Sequence, residues 1–180
     1  MADPVIVVKD DVAKFVKAIN DLAGLRVMIG VPADHPEGAS PGSNQRNDGP
    51  TNALLAYIHN TGSPAQNIPA RPHLVPGVEK ALPRMVAFLR RAATFASKGN
   101  QQGMMQNLHA VGLLGQNAVR QEITTGQFAP LAPATVRARM RKLAKSGGKV
   151  APGFTAIKPL LDSGQLRAAY AYVIRKVRVR

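Results

Sequence analysis

Four histidines, ten acidic residues and no cysteine are what this 180-residue chain has available for chemistry. The lack of cysteine removes disulfides, thiolate metal sites and thiol catalysis. His35, His59, His73 and His109 show neither HxxH nor HxxxH spacing and have few acidic neighbours, which argues against a metal centre. The acids form no convincing pair for proton transfer, and no serine is arranged with a histidine and a carboxylate in a way that supports a nucleophilic triad. Ser146-Gly147-Gly148-Lys149-Val150 approaches a phosphate loop, but Leu143 stands at the first glycine position and Val150 at the Ser/Thr position. The expectation is a protein that is not an enzyme and carries no cofactor or metal.

The cations are more informative. The formal charge is +14, and its placement is uneven. From Gln116 onward there are 13 Lys/Arg against Glu122 and Asp162, whereas the first 115 residues hold 11 Lys/Arg against eight acids. The candidate contacts are Arg137, Arg139, Arg141, Lys142 and Lys145 on a basic helix, Lys149 in the next loop, and Arg175, Lys176, Arg178 and Arg180 in the tail. Such a surface suits nucleic acid or an acidic protein face. Phosphate neutralisation would be salt-dependent and largely blind to sequence. With Phe154 as the nearby stacking residue and no zinc, homeodomain or RNP motif, DNA contact is expected as a secondary role rather than as base recognition.

Several elements must carry these residues. Val12, Phe15, Val16, Ile19 and Leu22 recur at helical spacing after Asp10 and Asp11, with Gly24 where a left-handed terminator is expected. Residues 25–31 alternate as a strand, and residues 4–8 could form another. Residues 32–50 are rich in proline and glycine, with little to bury, and read as a long mobile loop. Helices are expected over 51–61, from near Pro76 with a stripe of Val78, Leu82, Met85, Leu89 and Ala92, over 102–124, and from Ala134 to Lys145. Pro83 either kinks the second of these or marks its start. In the 102–124 helix the stripe is Met104, Leu108, Val111, Gly115 and Ala118, and Gly112 and Gly115 permit close backbone approach. A second mobile, basic loop spans 146–158. Asp162 and Gln165 have the spacing of a capping box. Residues 169–180 read as a basic C-terminal strand with Val173, Val177 and Val179 on its apolar side.

Residues 67–77, NIPARPHLVPG, place Pro69, Pro72 and Pro76 around Arg71. The prolines remove backbone donors and bias Ile68, Arg71 and Val75 toward extended conformations. Such a segment reads as a rigid strap of about 25 Å from Pro69 to Pro76. Ile68 and Leu74 would anchor it, and it would aim the helix that follows. Arg71 either bonds carbonyls of the strap within its own subunit or reaches a neighbouring one.

The order of VMIGVP, NALLAYIHNTG and IPARPHLVPGVEK, followed by ITTGQFAPLAPATVRAR and KPLLDSGQLRAAYAYVI, resembles the tail-completion and neck proteins of tailed bacteriophages, and is similar to the virion-morphogenesis G protein of Mu-like phages. The likeness covers residues 25–175 in patches. Its first motif falls on Ile68, Pro69, Arg71, Pro72 and Leu74, and its second on Pro159, Leu160, Leu161, Asp162, Ser163, Gly164 and Leu166. His73 replaces the usual aromatic residue, and Asn60 stands where an acid is common. The resemblance implies a structural virion protein, made in the host cytoplasm, that forms a ring at the head–tail junction, a hexamer by analogy with tail tubes or a dodecamer on the portal side. Its partners would be itself, the tail tube protein, head connector or adaptor proteins and DNA in the channel, with no membrane. The two motifs would supply subunit contacts. The alternative is a non-sequence-specific nucleic-acid-binding protein of phage DNA packaging. The fold expected is a single α+β domain over 1–180, with a mixed, mainly antiparallel sheet containing residues 25–31 and 168–179 and helices packed on one face.

Overall fold

The computed structural model describes residues 12–32, 50–145, 158–162 and 164–177. Residues 4–8, nearly all of both long loops, and Lys149, Ser163, Arg178 and Arg180 lie outside them. The elements are α1 (Val12–Ala23), β1 (Leu25–Gly30), α2 (Asn52–Thr61), α3 (Leu74–Ser97), α4 (Gln101–Thr125), α5 (Pro133–Lys145), α6 (Gln165–Ala169) and β2 (Ala171–Lys176), with a 3-10 turn at Pro64–Gln66.

The expected α+β fold, a mixed, mainly antiparallel sheet with helices packed on one face, is overturned. Among the described residues 68% are helical, in six α-helices, against one two-stranded antiparallel sheet. Both strands fall where alternation placed them, but among the described residues they pair only with each other, Leu25 opposite Lys176 through Gly30 opposite Ala171. The core is built on the α3–α4 hairpin, which the ribbon covers in one part and α2, residues 160–161 and α6 in another. Periodicity identifies a strand; it carries no information about how many strands join it.

The hairpin turns at Gly99, whose φ is +69°, and Asn100 caps α4 by accepting from the Gly103 amide at 2.8 Å. The face of α3 differs from expectation. Gly77, Ala81, Met85, Ala92 and Ala96 are buried, while Leu82 and Leu89 are exposed. Small residues win because the two helices approach closely: a Cβ on Gly77 would lie 2.8 Å from the Val119 Cα. The α3 helix starts at Leu74, so Val75 is helical despite preceding a proline, and Pro83 lies inside the helix rather than at its start. On α4 the expected Met104, Leu108, Val111 and Gly115 are buried, joined by Val119 and Ile123.

The ribbon lays Leu25, Val27, Ile29, Tyr172 and Ile174 toward the hairpin. A side chain at Gly112 would collide with the Tyr172 ring, and one at Gly115 with Ile29. These glycines therefore set the distance between sheet and helix. The apolar side assigned to β2 is reversed: Val173 pairs with the exposed Met28 on the outer face. Alternating β-branched residues look alike from either side, and register on β1 chooses between them. Gly24 ends α1 without a positive φ, its amide bonding to the Asn20 carbonyl. None of the residues of α1 is buried.

Candidate functional site

The two motif segments, far apart in sequence, meet beside the N-terminus of α3. Between α2 and α3 the chain turns sharply. Gly62 has φ +81°, and a Cβ there would come within 2.8 Å of the Ala70 amide nitrogen. The 3-10 turn is closed by reciprocal bonds between Ser63 and Ile68, with Asn67 left-handed at φ 52°. The Arg71 amide then bonds back to the His59 carbonyl at 2.8 Å. The strap is thus tied to the end of α2, and its extended part stops before Leu74, short of the span to Pro76 that the prolines suggest.

Asn60 has a defined task. Its Oδ1 accepts from the backbone amides of His73 and Leu74 at 3.2 and 3.3 Å. The first amides of a helix lack intrahelical partners, and a side-chain oxygen carried on α2 supplies them for α3. A carboxylate would perform the same service, so the departure at this position is conservative in function.

Arg71 is only 4% exposed. Its Nε donates to the Ala129 carbonyl at 2.9 Å and its terminal nitrogen to the Pro130 carbonyl at 3.0 Å. It is held inside its own subunit, and by the α4–α5 connection rather than by strap carbonyls. Burial, and secondarily the charge of Arg139, lower its pKa.

His73 is fully buried. Its Nδ1 lies 2.7 Å from the Arg71 carbonyl, which can only accept, so Nδ1 carries the proton. Nε2 then accepts from the Tyr170 hydroxyl at 2.5 Å. The ring meets Tyr170 and Phe128 edge-on, at centroid distances of 5.5 and 6.5 Å. Burial lowers the imidazole pKa, opposed by the Arg71 carbonyl and by Glu122. Burial also pushes the Tyr170 phenol up. Glu122 itself is buried and paired with Lys80. With both ring nitrogens engaged, His73 ties the strap to the entry of β2.

The second motif arrives from the opposite side. Leu160, Leu161 and Leu166 join Ala56, Val119, Ile123 and Tyr170 in a core cluster. Leu160 holds φ at +64°, an uncommon conformation for a bulky residue. Arg139 grips this segment through the Lys158 and Leu161 carbonyls, at 3.0 and 2.9 Å, and lies 3.8 Å from Asp162. Asp162 therefore faces α5, and Gly164, φ +77°, is the N-cap of α6, without the side-chain cap that the Asp162–Gln165 spacing suggests. A cleft of about 180 Å³ separates the motifs, with Arg71, Arg139, Asp162 and Leu166 in its walls. Ile68 and Leu74 are half-buried, Pro69, Pro72 and Asp162 are exposed, and Arg71 and Leu166 are buried within the chain.

The basic residues divide. Arg137, Arg141, Lys142, Lys145 and Arg175 are exposed, Arg139 is committed to the second motif, and Lys176 lies 3.3 Å from Asp21. Among the described residues no three His, Asp or Glu side chains gather as a metal site requires, and no helix is long and apolar enough to cross a membrane. Sequence reasoning missed Tyr170 as the partner of His73, the capping by Asn60, and the pair Arg120 and Arg167. A lone cation on an apolar helix, as Arg120 is on α4, was the available signal. No protein-family model, curated protein or solved structure matches the chain.

Proposed function

We propose that this chain is a structural virion protein of a tailed phage, forming a ring at the head–tail junction that completes the tail and joins it to the head connector. The observation that carries the reading is the convergence of the two motifs. IPARPHL and PLLDSGQL lie on either side of one cleft that Arg71 and Arg139 help to line, and the His73–Tyr170 bond ties the first motif to the segment that follows the second. Motif residues that meet in space behave as one structural device rather than as two chance matches. The surface supports assembly as well. Val12, Phe15 and Val16 on α1 are 65%, 49% and 49% exposed, and Val75, Leu82 and Leu89 form a second exposed row on α3. Apolar rows of this kind are what subunit contact buries. Among the described residues no further strand pairs with the ribbon, and unpaired edges of this kind are ones a neighbour can extend. Pro69, Pro72 and Asp162 remain available as contacts, whereas Arg71 and Leu166 act by shaping the subunit. In this reading the partners are further copies in a sixfold or twelvefold ring, the tail tube protein and the connector, and its location is the virion neck.

Native mass spectrometry of purified protein, and electron microscopy of particles from the phage that encodes it, test the proposal. A closed ring and labelling at the neck are expected; absence of the protein from purified virions would overturn it. A second reading, non-sequence-specific nucleic-acid binding in packaging, is favoured by the exposed cations of α5, and predicts duplex affinity that falls steeply with salt.

A further inference from the structure

Between α4 and α6 lies a cleft of about 590 Å³ with Arg120, Thr124, Thr125, Gly164 and Arg167 in its wall and no acidic side chain among its described lining residues. Arg120 donates to the Ala168 and Tyr170 carbonyls at 3.1 and 2.7 Å. Its Nε is shielded from water and has no hydrogen-bond partner among the described residues. Arg167 donates to the Thr124 hydroxyl at 3.3 Å, and Lys158 to the Thr124 carbonyl at 3.3 Å. Three cations therefore surround the last turn of α4. The two acids after Gln116 are both turned elsewhere, Glu122 to Lys80 and Asp162 to Arg139. The carbonyls at the end of α4 offset part of this charge, but they leave Arg120 and Arg167 near each other without a counter-charge among the described lining residues. That repulsion acts on Arg120 in addition to its burial.

We propose that the α4–α6 cleft is an oxyanion site that receives a backbone phosphate of nucleic acid, held by Arg120 and Arg167, with Lys158 at the neighbouring Thr124 carbonyl adding to the attraction. Guanidinium groups present paired donors that match phosphate oxygens. A phosphate polymer is favoured over an isolated anion or a carboxylate because the cations continue beyond the cleft. Arg139 fastens α5 to the Lys158 carbonyl, and α5 exposes Arg137, Arg141, Lys142 and Lys145 without a single acid in its sequence. A row of cations leading away from a pocket fits evenly repeated charges. The site stands independently of ring formation: a chain that never assembled could still bind this way, and a ring could form with the cleft empty.

Fluorescence anisotropy of a short labelled duplex with the full chain, over a range of salt, tests the proposal. Arg167→Gln, at an exposed position, is expected to weaken binding about tenfold and to reduce the salt slope by about one. Lys158→Gln is expected to act in the same direction, and both should keep the parent melting temperature. Arg84→Gln, exposed on α3 away from the cleft, removes the same charge and should change affinity less than about twofold. Equal losses for Arg84→Gln and Arg167→Gln would reduce the effect to bulk charge and overturn the site. So would absence of duplex binding at low salt. If Arg167→Gln abolished binding of polyglutamate but left duplex affinity intact, an acidic protein would be the ligand and the proposal would fail.

Discussion

Arg71 shows how one side chain can join two distant segments, the strap and the α4–α5 connection. Its guanidinium donates to the Ala129 and Pro130 carbonyls, so Arg71→Ala would remove both bonds. Hydrogen bonds to a charged donor contribute roughly 1.5–3 kcal/mol, and a loss of that size is expected in urea unfolding of the isolated subunit. Asn60→Ala should cost about 1 kcal/mol by uncapping α3. Asn60→Asp should retain that stability or slightly raise it, because a carboxylate near a helix N-terminus is favoured. At His73 the folded pKa is depressed, so the unfolded chain binds the proton first. Stability is then complete above the unfolded value of about 6.5, falls as the pH drops through it, and levels once the folded imidazole also titrates. His73→Phe combined with Tyr170→Phe removes both the titrating group and the hydroxyl that depends on it. Urea midpoints of that double variant should lose this step, while those of the parent keep it.

At the scale of elements, α3 and α4 meet through residues too small to attract attention as a hydrophobic stripe. Gly77→Ala would gain up to about 1 kcal/mol in helix propensity. The new methyl group, however, would meet backbone of α4 at 2.8 Å, which cannot rotate away as a side chain can. Overpacking of this kind typically costs about 1–3 kcal/mol, and a net fall in thermal stability is expected. The helices themselves were legible: the 3.6-residue period located α1, α2 and α4, Pro133 and the basic run after it marked α5, and alternation located both strands. Their faces were less so. Leu82 and Leu89 read as core by hydrophobicity, yet the approach of α4 through Gly77 and Ala81 rotates them outward. Val173 likewise reads as inward until its pairing with Met28 is known.

For the molecule as a whole, two surfaces stand apart. One is apolar, on α1 and along α3; the other is cationic, on α5 and around the α4–α6 cleft. Because α1 has no buried residue, polar substitution there should leave the subunit folded. Phe15→Glu with Leu82→Glu is expected to abolish higher oligomers in native mass spectrometry while changing unfolding free energy by less than about 1 kcal/mol, the range of surface substitutions. Retained assembly would remove these rows from the interface. The net charge of +14 acts over a Debye length of about 8 Å at physiological salt, so the cationic surface is expected to bind duplex strongly only in dilute buffer.

Local chemistry lies within reach of the sequence alone: where helices and strands run, where proline and glycine interrupt them, that a strap with a central arginine precedes α3, and that positive charge collects after Gln116. These follow from short-range sterics, periodicity and composition. The tertiary structure alone decided that the strands form a ribbon rather than a larger sheet, that His73 meets Tyr170 across 97 residues, and that Arg71 turns inward. It also decided that Arg120, Arg167 and Lys158 share one helix end. Each of these depends on which distant segments pack together, and the same local pattern is compatible with several packings until backbone contacts such as Gly77 on Val119 select one.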